Sequence, residues 1–292
     1  MQLNLSGSES SQGTDLSNVS VTDAPLGGSL EMNVHSALHF WTGDPNKPLR
    51  QHMGVFTHAS QDPIFYAHHS DIDRLWEVWR TLPGGCRKES TDEDFLEAEF
   101  LFYDENKNLV KVKAKESLDL GKMGVSYEPA TEGDDLWKNF QPRPMPGNEG
   151  SQVEYAKKMG ATEIAEATVT SPAIELGSNF SALVKLPSKL TNTCGETGSS
   201  DKQELVEILM IQGVSMGRED YVHLKVFVNM PTATEATLIS SAEYVGAANI
   251  VPSPQTGKRL FSNVKLEIGD NLERLGLQGE EYVVLTAILG TF

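Results

Sequence analysis

The apolar positions of this chain follow a helical period first and a strand period later. From Asp62 to Thr81 they fall on adjoining helical faces, His68, Ile72, Leu75 and Trp79 on one and His69, Asp73 and Trp76 on its neighbour. Asp62 can cap this helix, Pro63 suits the first position where no N–H is needed, and Leu82-Pro83-Gly84-Gly85 ends it. A shorter helix is expected from Ser29 as N-cap to Thr42-Gly43, followed by a loop over residues 43–61. Between 91 and 115 the period drops to two. Two short strands joined by Asp104-Glu105-Asn106-Lys107 read as a hairpin, with Val110, Val112 and Ala114 on one side and Lys111, Lys113 and Lys115 on the other.

Beyond residue 172 strands dominate. Val222, Leu224, Val226 and Val228 alternate onto one face, and Glu204–Gln212, Asn263–Ile268 and Glu281–Leu289 are further strand candidates. Six or seven short strands at this spacing predict an antiparallel β-sandwich. Residues 1–28 are rich in Ser, Gly, Asn, Asp and Thr and read as a loosely attached arm. Residues 128–171, with Pro129, Pro142, Pro144 and Pro146, read as a linker containing one helical stretch near 150–168. The expected layout is therefore an arm (1–28), a helical region with a hairpin (29–127), a linker (128–171) and a sandwich (172–292).

Composition narrows the function classes. With 39% hydrophobic and 22% charged residues, the 292-residue chain has the make-up of a globular protein. A formal charge of −17 argues against nucleic acid as a partner. No apolar run approaches the roughly 18 residues of a membrane span. Cys86 and Cys194 are too few for a disulfide framework and are expected as free thiols. The first 46 residues hold no Lys or Arg, so neither an Arg-rich transit peptide nor a basic-start secretory signal is read there.

Histidine changes the picture. Six of the seven lie between His35 and His69. His35 and His39, four apart, share a helix face, and His69 comes from the second helix, so three imidazoles from two packed helices make a metal site with open positions. Imidazole suits copper, zinc, iron and nickel alike. Asp73 is a candidate partner to fix a ring tautomer. The bland alternative, hydrogen-bonded core histidines, stands beside this. His68, next to His69, is expected to point about 100° away around the helix, and loop His52 and His58 and strand His223 are expected to be exposed or structural.

H-x-x-x-H-x-W-T-G-D, then H-M-G-x-F, then D-P-x-F-x-x-H-H-x-x-x-D-R-x-W resembles the second copper site of plant polyphenol oxidases, the catechol oxidases and tyrosinases of the type 3 copper class. The resemblance implies copper held by His35, His39 and His69, Glu31 orienting a water for phenol deprotonation, and Phe56 over the metal at the substrate entrance. It implies that Ser36 and Phe40 tune substrate preference. Val34 departs from the pattern, which usually has proline there. Residues 92–106 are similar to the family's DWL segment. Tyr127 matches one tyrosine of a Y-x-Y motif whose other member is Val125 here, and L-K-V-F-V-N with A-E-Y-V-G resembles the C-terminal KFDV domain that shields the copper site.

The implied fold is α+β: half of a type 3 copper four-helix bundle followed by an antiparallel β-sandwich. The implied activity is oxidation of o-diphenols to o-quinones with O₂, in a family that is typically plastidial. A type 3 site needs two coppers, and the histidines left after one triad do not form a second. Two readings follow: an oxidoreductase whose chemistry needs a first copper site that this chain lacks, or a non-catalytic mononuclear copper-binding or interaction protein. The apolar helix face of Leu38, Phe65, Leu75 and Trp79 is expected to need cover from a partner or a second copy.

Overall fold

The computed structural model describes residues 2–4, 30–81, 92–129, 140–164, 179–186, 207–217, 220–251 and 259–290. The chain forms two compact units. The first contains Met1–Gly7, Leu26–Ile72 and Gln141–Phe292, and the second Ser8–Pro25 and Asp73–Phe140. Cys86 and Cys194 lie outside the described residues.

Two sheets form the body of the first unit. The larger contains β4 (Thr162–Ile164), β5 (Asn179–Lys185), β7 (Val222–Val228), β8 (Tyr244–Ile250) and β10 (Tyr282–Gly290), in the order β4-β5-β10-β7-β8. The smaller contains β1 (Gln2–Asn4), β6 (Ile208–Gly217) and β9 (Arg259–Glu267), in the order β1-β6-β9. The alternation read from the sequence becomes packing. Leu224, Val226 and Val228 of β7 and Leu285 and Ala287 of β10 meet Leu209 of β6 and Val264 and Leu266 of β9 in one core. Leu272 of the short helix Gly269–Arg274 joins the same core. Each apolar side chain taken fully out of water here contributes about 1.5–3 kcal/mol.

Three expectations change. The sandwich is antiparallel except at one edge, where β4 pairs parallel to β5 with Glu163 opposite Leu183. Within the expected arm, Gln2–Asn4 forms β1, antiparallel to β6. Residues 141–164 of the expected linker are built into the sheet unit: the helix Val153–Lys158 places Ala156 against Leu183 and Val284, on the face opposite the main core. Proline and glycine density reads as a linker because it excludes regular structure, yet backbone polar groups find partners without it.

Those partners are buried side chains. Glu243, fully buried, accepts from the Met145 N–H at 2.8 Å and from Asn148 Nδ2 at 2.8 Å. Asn229, in the left-handed region at φ 58°, donates through Nδ2 to the Gly150 carbonyl at 2.8 Å and accepts at Oδ1 from the Gln152 N–H at 2.8 Å.

In the second unit the hairpin forms as expected. A strand Glu99–Tyr103 (β2) pairs with Leu109–Lys113 (β3), and Asp104 accepts from the Asn106 and Asn108 N–H groups to close the turn. Phe100, Leu101, Phe102 and Tyr103 are all exposed. Tyr127 donates its hydroxyl to Asp73, and burial followed by that carboxylate pushes the phenol up to about 12.

The ligand-bearing helices differ from the expected pair in one respect. The first is a π-helical turn, Leu30–His35, continued by α-helix Ser36–Thr42 (α1). The second is the 18-residue helix Ile64–Thr81 (α2), with Asp62 Oδ1 accepting from the Ile64 N–H at 3.1 Å. His68 is its one buried residue, while Ile64, Tyr66, Trp76 and Trp79 are exposed. Two helices are placed here, so a four-helix bundle is not formed by the described residues. No helix among them is long and apolar enough to cross a membrane.

Asn229→Gly, which keeps the left-handed backbone and removes only the amide, is expected to lower stability by about 0.5–1.5 kcal/mol for each of the two part-buried hydrogen bonds lost, to the Gly150 carbonyl and from the Gln152 N–H. Urea unfolding measures this. Limited proteolysis should then cut within 140–164, a segment the wild-type chain protects.

Candidate metal centre

Each imidazole is positioned by a different local device. His35 sits where the π turn passes into α1, and its ring is hydrogen-bonded to the Glu31 carbonyl one turn back. Ser36 Oγ donates to the same carbonyl at 2.7 Å. His39, 1% exposed, follows one turn later, its Nδ1–H donating to the Met53 carbonyl at 2.8 Å. The loop that brings Met53 back is close-packed: a Cβ on Gly54 would lie 2.4 Å from the Arg50 carbonyl oxygen, and one on Gly43 would lie 2.2 Å from it. Glycine is required at both crossings. Asp44 N–H donates to the Gln51 carbonyl at 2.9 Å and closes the loop.

The rings converge. The His35 ring centroid lies 4.5 Å from that of His39 and 5.0 Å from that of His69. His39 Nε2 and His69 Nε2 are 3.2 Å apart. Two imidazole nitrogens on one first-row ion, each about 2.0–2.1 Å from it, are separated by roughly 3 Å, so this pair has the spacing of shared ligation. The Met53 carbonyl holds the His39 proton on Nδ1 and leaves the Nε2 lone pair facing His69, which is the tautomer a metal ligand needs. An all-imidazole donor set suits copper.

His68 departs from expectation. Its ring is stacked 5.4 Å from His35 and lies 5.0 Å from His39, and one ligand atom each from His35, His39 and His68 come within 4.8 Å of one another. The 100° offset along α2 carries His68 toward α1 rather than away, because α1 crosses on that side. Four imidazoles therefore meet where three were expected. His68 differs from His39 in the nitrogen it commits: Nε2 bonds to the His35 main-chain carbonyl at 3.2 Å, where His39 bonds to Met53 through Nδ1. The sequence held a signal for this, the doubled histidine at the centre of α2, but no periodicity assigns a partner 33 residues away.

The other expected residues sort clearly. The Phe56 ring, about half exposed, lies 4.8 Å from His39 and 5.7 Å from His35, beside the cluster and open to solvent. Glu31 has an exposed side chain one turn before His35. Ser36 is buried and Phe40 nearly so, Phe40 stacked 3.6 Å from Tyr221 on β7's approach and capped by the Arg50 guanidinium at 4.5 Å. Asp73 accepts from the Tyr127 hydroxyl within the second unit, and the His35, His39 and His68 rings bond to main-chain carbonyls. His52 and His58 are exposed and apart from the cluster, and His223 is half-buried in the sandwich.

Burial, then the neighbouring rings of His69 and His68, lowers His35 to about 4. Burial lowers His39 to about 4 as well, against the opposing pull of the Met53 carbonyl. His68 and His69 are lowered by burial first. All four are neutral near pH 7, the state that offers lone pairs. Above about pH 6.5 these rings are uncharged both folded and unfolded, so they add no pH dependence. As pH falls from about 6.5 to about 4, the unfolded chain takes up protons that folded His35 and His39 refuse, so stability falls across that window and levels off below it. Urea midpoints of metal-free protein at about pH 7.5 and about pH 4.5 should show this loss, and His35→Gln should reduce it.

The chain matches three family models in succession: the common central domain of tyrosinase over residues 4–82, the polyphenol oxidase middle domain over 89–143, and the chloroplastic polyphenol oxidase C-terminal domain over 172–289. It is 36% identical over 266 residues to aureusidin synthase of Antirrhinum majus, covering 89% of this chain and 44% of that protein. It is 34% identical to a chloroplastic polyphenol oxidase of Malus domestica, covering 90% of this chain and 44% of the relative. Among solved structures, latent apple tyrosinase matches with a TM-score of 0.73 at 32% identity, over 91% of this chain and 54% of that one. A recombinant latent aurone synthase matches with a TM-score of 0.75 at 27% identity, over 96% and 52%. The chain thus spans about half the length, or less, of the relatives it matches. With three polyphenol oxidase domains matched in order and a histidine cluster at the first of them, the chain belongs to the polyphenol oxidase family.

Proposed function

We propose that this chain binds one copper ion through His35, His39 and His69, and that it serves the oxidation of o-diphenols by O₂ only together with a second copper triad. The observation that carries the assignment is the 3.2 Å approach of His39 Nε2 to His69 Nε2, with the His39 proton held at Nδ1. His69 rather than His68 is the third ligand in this reading because its Nε2 faces His39 Nε2 directly, whereas His68 bonds through Nε2 to the His35 carbonyl and steadies the turn that carries a ligand. Copper, when bound, supplies one-electron redox chemistry and an open position for O₂.

The residues around it do the rest. Phe56, half exposed beside two of the rings, offers an apolar aromatic surface on which a phenol ring can stack. Glu31, exposed one turn before His35, is in our reading the proton acceptor that works through a water on a phenolic hydroxyl. Ser36 and Phe40, buried in packing and hydrogen bonding, act on substrate preference only through the shape of α1.

Conversion of an o-diphenol to an o-quinone removes two electrons, and one cupric ion would accept only one. All seven histidines are described, and the group of potential ligands found among the described residues includes none of His52, His58 and His223. A non-catalytic mononuclear copper protein is the second reading, favoured by the same histidine count.

Copper-loaded protein should contain one copper per chain. His69→Ala should weaken binding by more than His68→Ala, for which a loss of about 10- to 100-fold is expected of a supporting residue. Equal losses, or two tightly held coppers, would overturn the assignment. The 292-residue chain alone should oxidise catechol no faster than free copper. Activity restored by adding the N-terminal half of a related polyphenol oxidase in trans would favour the oxidase reading over the non-catalytic one.

A further inference from the structure

We propose that Asn249, in the β-sandwich, is a positioning residue of the metal centre: its amide holds the π turn that delivers His35, so the sandwich helps build the site. This rests on the copper reading above. Asn249 is 1% exposed and lies on β8. Its Nδ2 donates to the Met32 carbonyl at 3.2 Å and the Asn33 carbonyl at 3.1 Å, and lies 3.4 Å from Asn33 Oδ1. Those carbonyls belong to the turn Leu30–His35, two and three residues before the ligand.

The amide's orientation is fixed from the other side. Tyr221 Oη donates to Asn249 Oδ1 at 2.6 Å, and His223 Nδ1–H donates to the same oxygen at 2.6 Å. With two donors on its oxygen, the amide has one arrangement, N–H toward the turn. A flip would set its oxygen against two carbonyls and its NH₂ against two donors. Tyr221 adds a second hold on the same helix through its 3.6 Å stack on Phe40, one residue after His39. A π turn is an uncommon local geometry with poorer intrinsic support than an α turn, and it persists where outside partners fix it. Here Ser36 Oγ and the His35 ring serve the Glu31 carbonyl, and Asn249 serves the next two. Partners that orient a ligand commonly govern metal affinity by about 10- to 100-fold.

Asn249→Asp separates this role from packing. It is the same size and keeps an oxygen for Tyr221 and His223, but it turns the donor facing Met32 and Asn33 into an acceptor. In the full chain, Cu(II) affinity by chelator competition should fall about 10- to 100-fold, and the Cu(II) paramagnetic resonance spectrum should change, with circular dichroism as in wild type. Tyr221→Phe keeps the ring stack and removes one hydroxyl that orients the amide; a smaller loss with the same spectral direction is expected. Wild-type affinity and spectrum in Asn249→Asp would overturn the proposal. Should that variant fail to fold, Tyr221→Phe decides, and its wild-type affinity and spectrum would overturn the proposal equally. His35→Ala is the control: if copper binding survives it unchanged, the copper reading itself fails, and this proposal with it.

Discussion

The centre depends on keeping four neutral imidazoles together without charging any of them. Rings whose centroids lie within about 5.5 Å of one another repel when protonated, and burial penalises the charge further. The chain meets this with main-chain carbonyls: Glu31 for His35, Met53 for His39, and His35 for His68. A carbonyl accepts a proton-bearing nitrogen and fixes the tautomer without adding a formal charge. A carboxylate would raise the imidazole's proton affinity, whereas these carbonyls leave His35 and His39 lowered to about 4.

That choice moves the burden onto backbone placement. Met53 meets His39 only because Gly43 and Gly54 let the loop cross within van der Waals range of Arg50. The Glu31 carbonyl reaches the His35 ring from an irregular turn held by Ser36 and by the sandwich. The histidine-bearing segments and the sandwich accordingly form one compact unit, while the remainder of α2 and the hairpin form another. Glu243 and Asn229 extend the same unit across residues 141–164 by buried polar ties.

The exposed aromatic residues mark a different part of the molecule. Trp76, Trp79 and the strand Phe100–Tyr103 present large apolar side chains to solvent. A helix of 18 residues with one buried member is amphipathic by sequence, yet Ile64, Tyr66, Trp76 and Trp79 stay exposed on it. Patches of this kind are normally covered by another surface, and the chain's share of its relatives' length is about half or less.

Elements whose physics is local were legible in the sequence. Asp62 capping α2, the Asp104 turn of the hairpin, and the Val222, Leu224, Val226 and Val228 face of β7 each follow from spacing and side-chain chemistry within a few residues. The histidine motif on two helices was legible there too, whereas the inclusion of His68 in the cluster was not. Tertiary structure alone decided what each ring bonds to. His68 joins the cluster because α1 crosses on its side of α2, a fact carried by packing and not by period. Asp73 finds Tyr127, 54 positions away, and Asn249 finds Met32, 217 positions away. The proline-bearing segment 140–164 read as a linker because its partners, Asn229 and Glu243, are distant in sequence. Periodicity reports which face is buried, whereas hydrogen bonds between remote segments depend on how two independently patterned elements come to rest against each other.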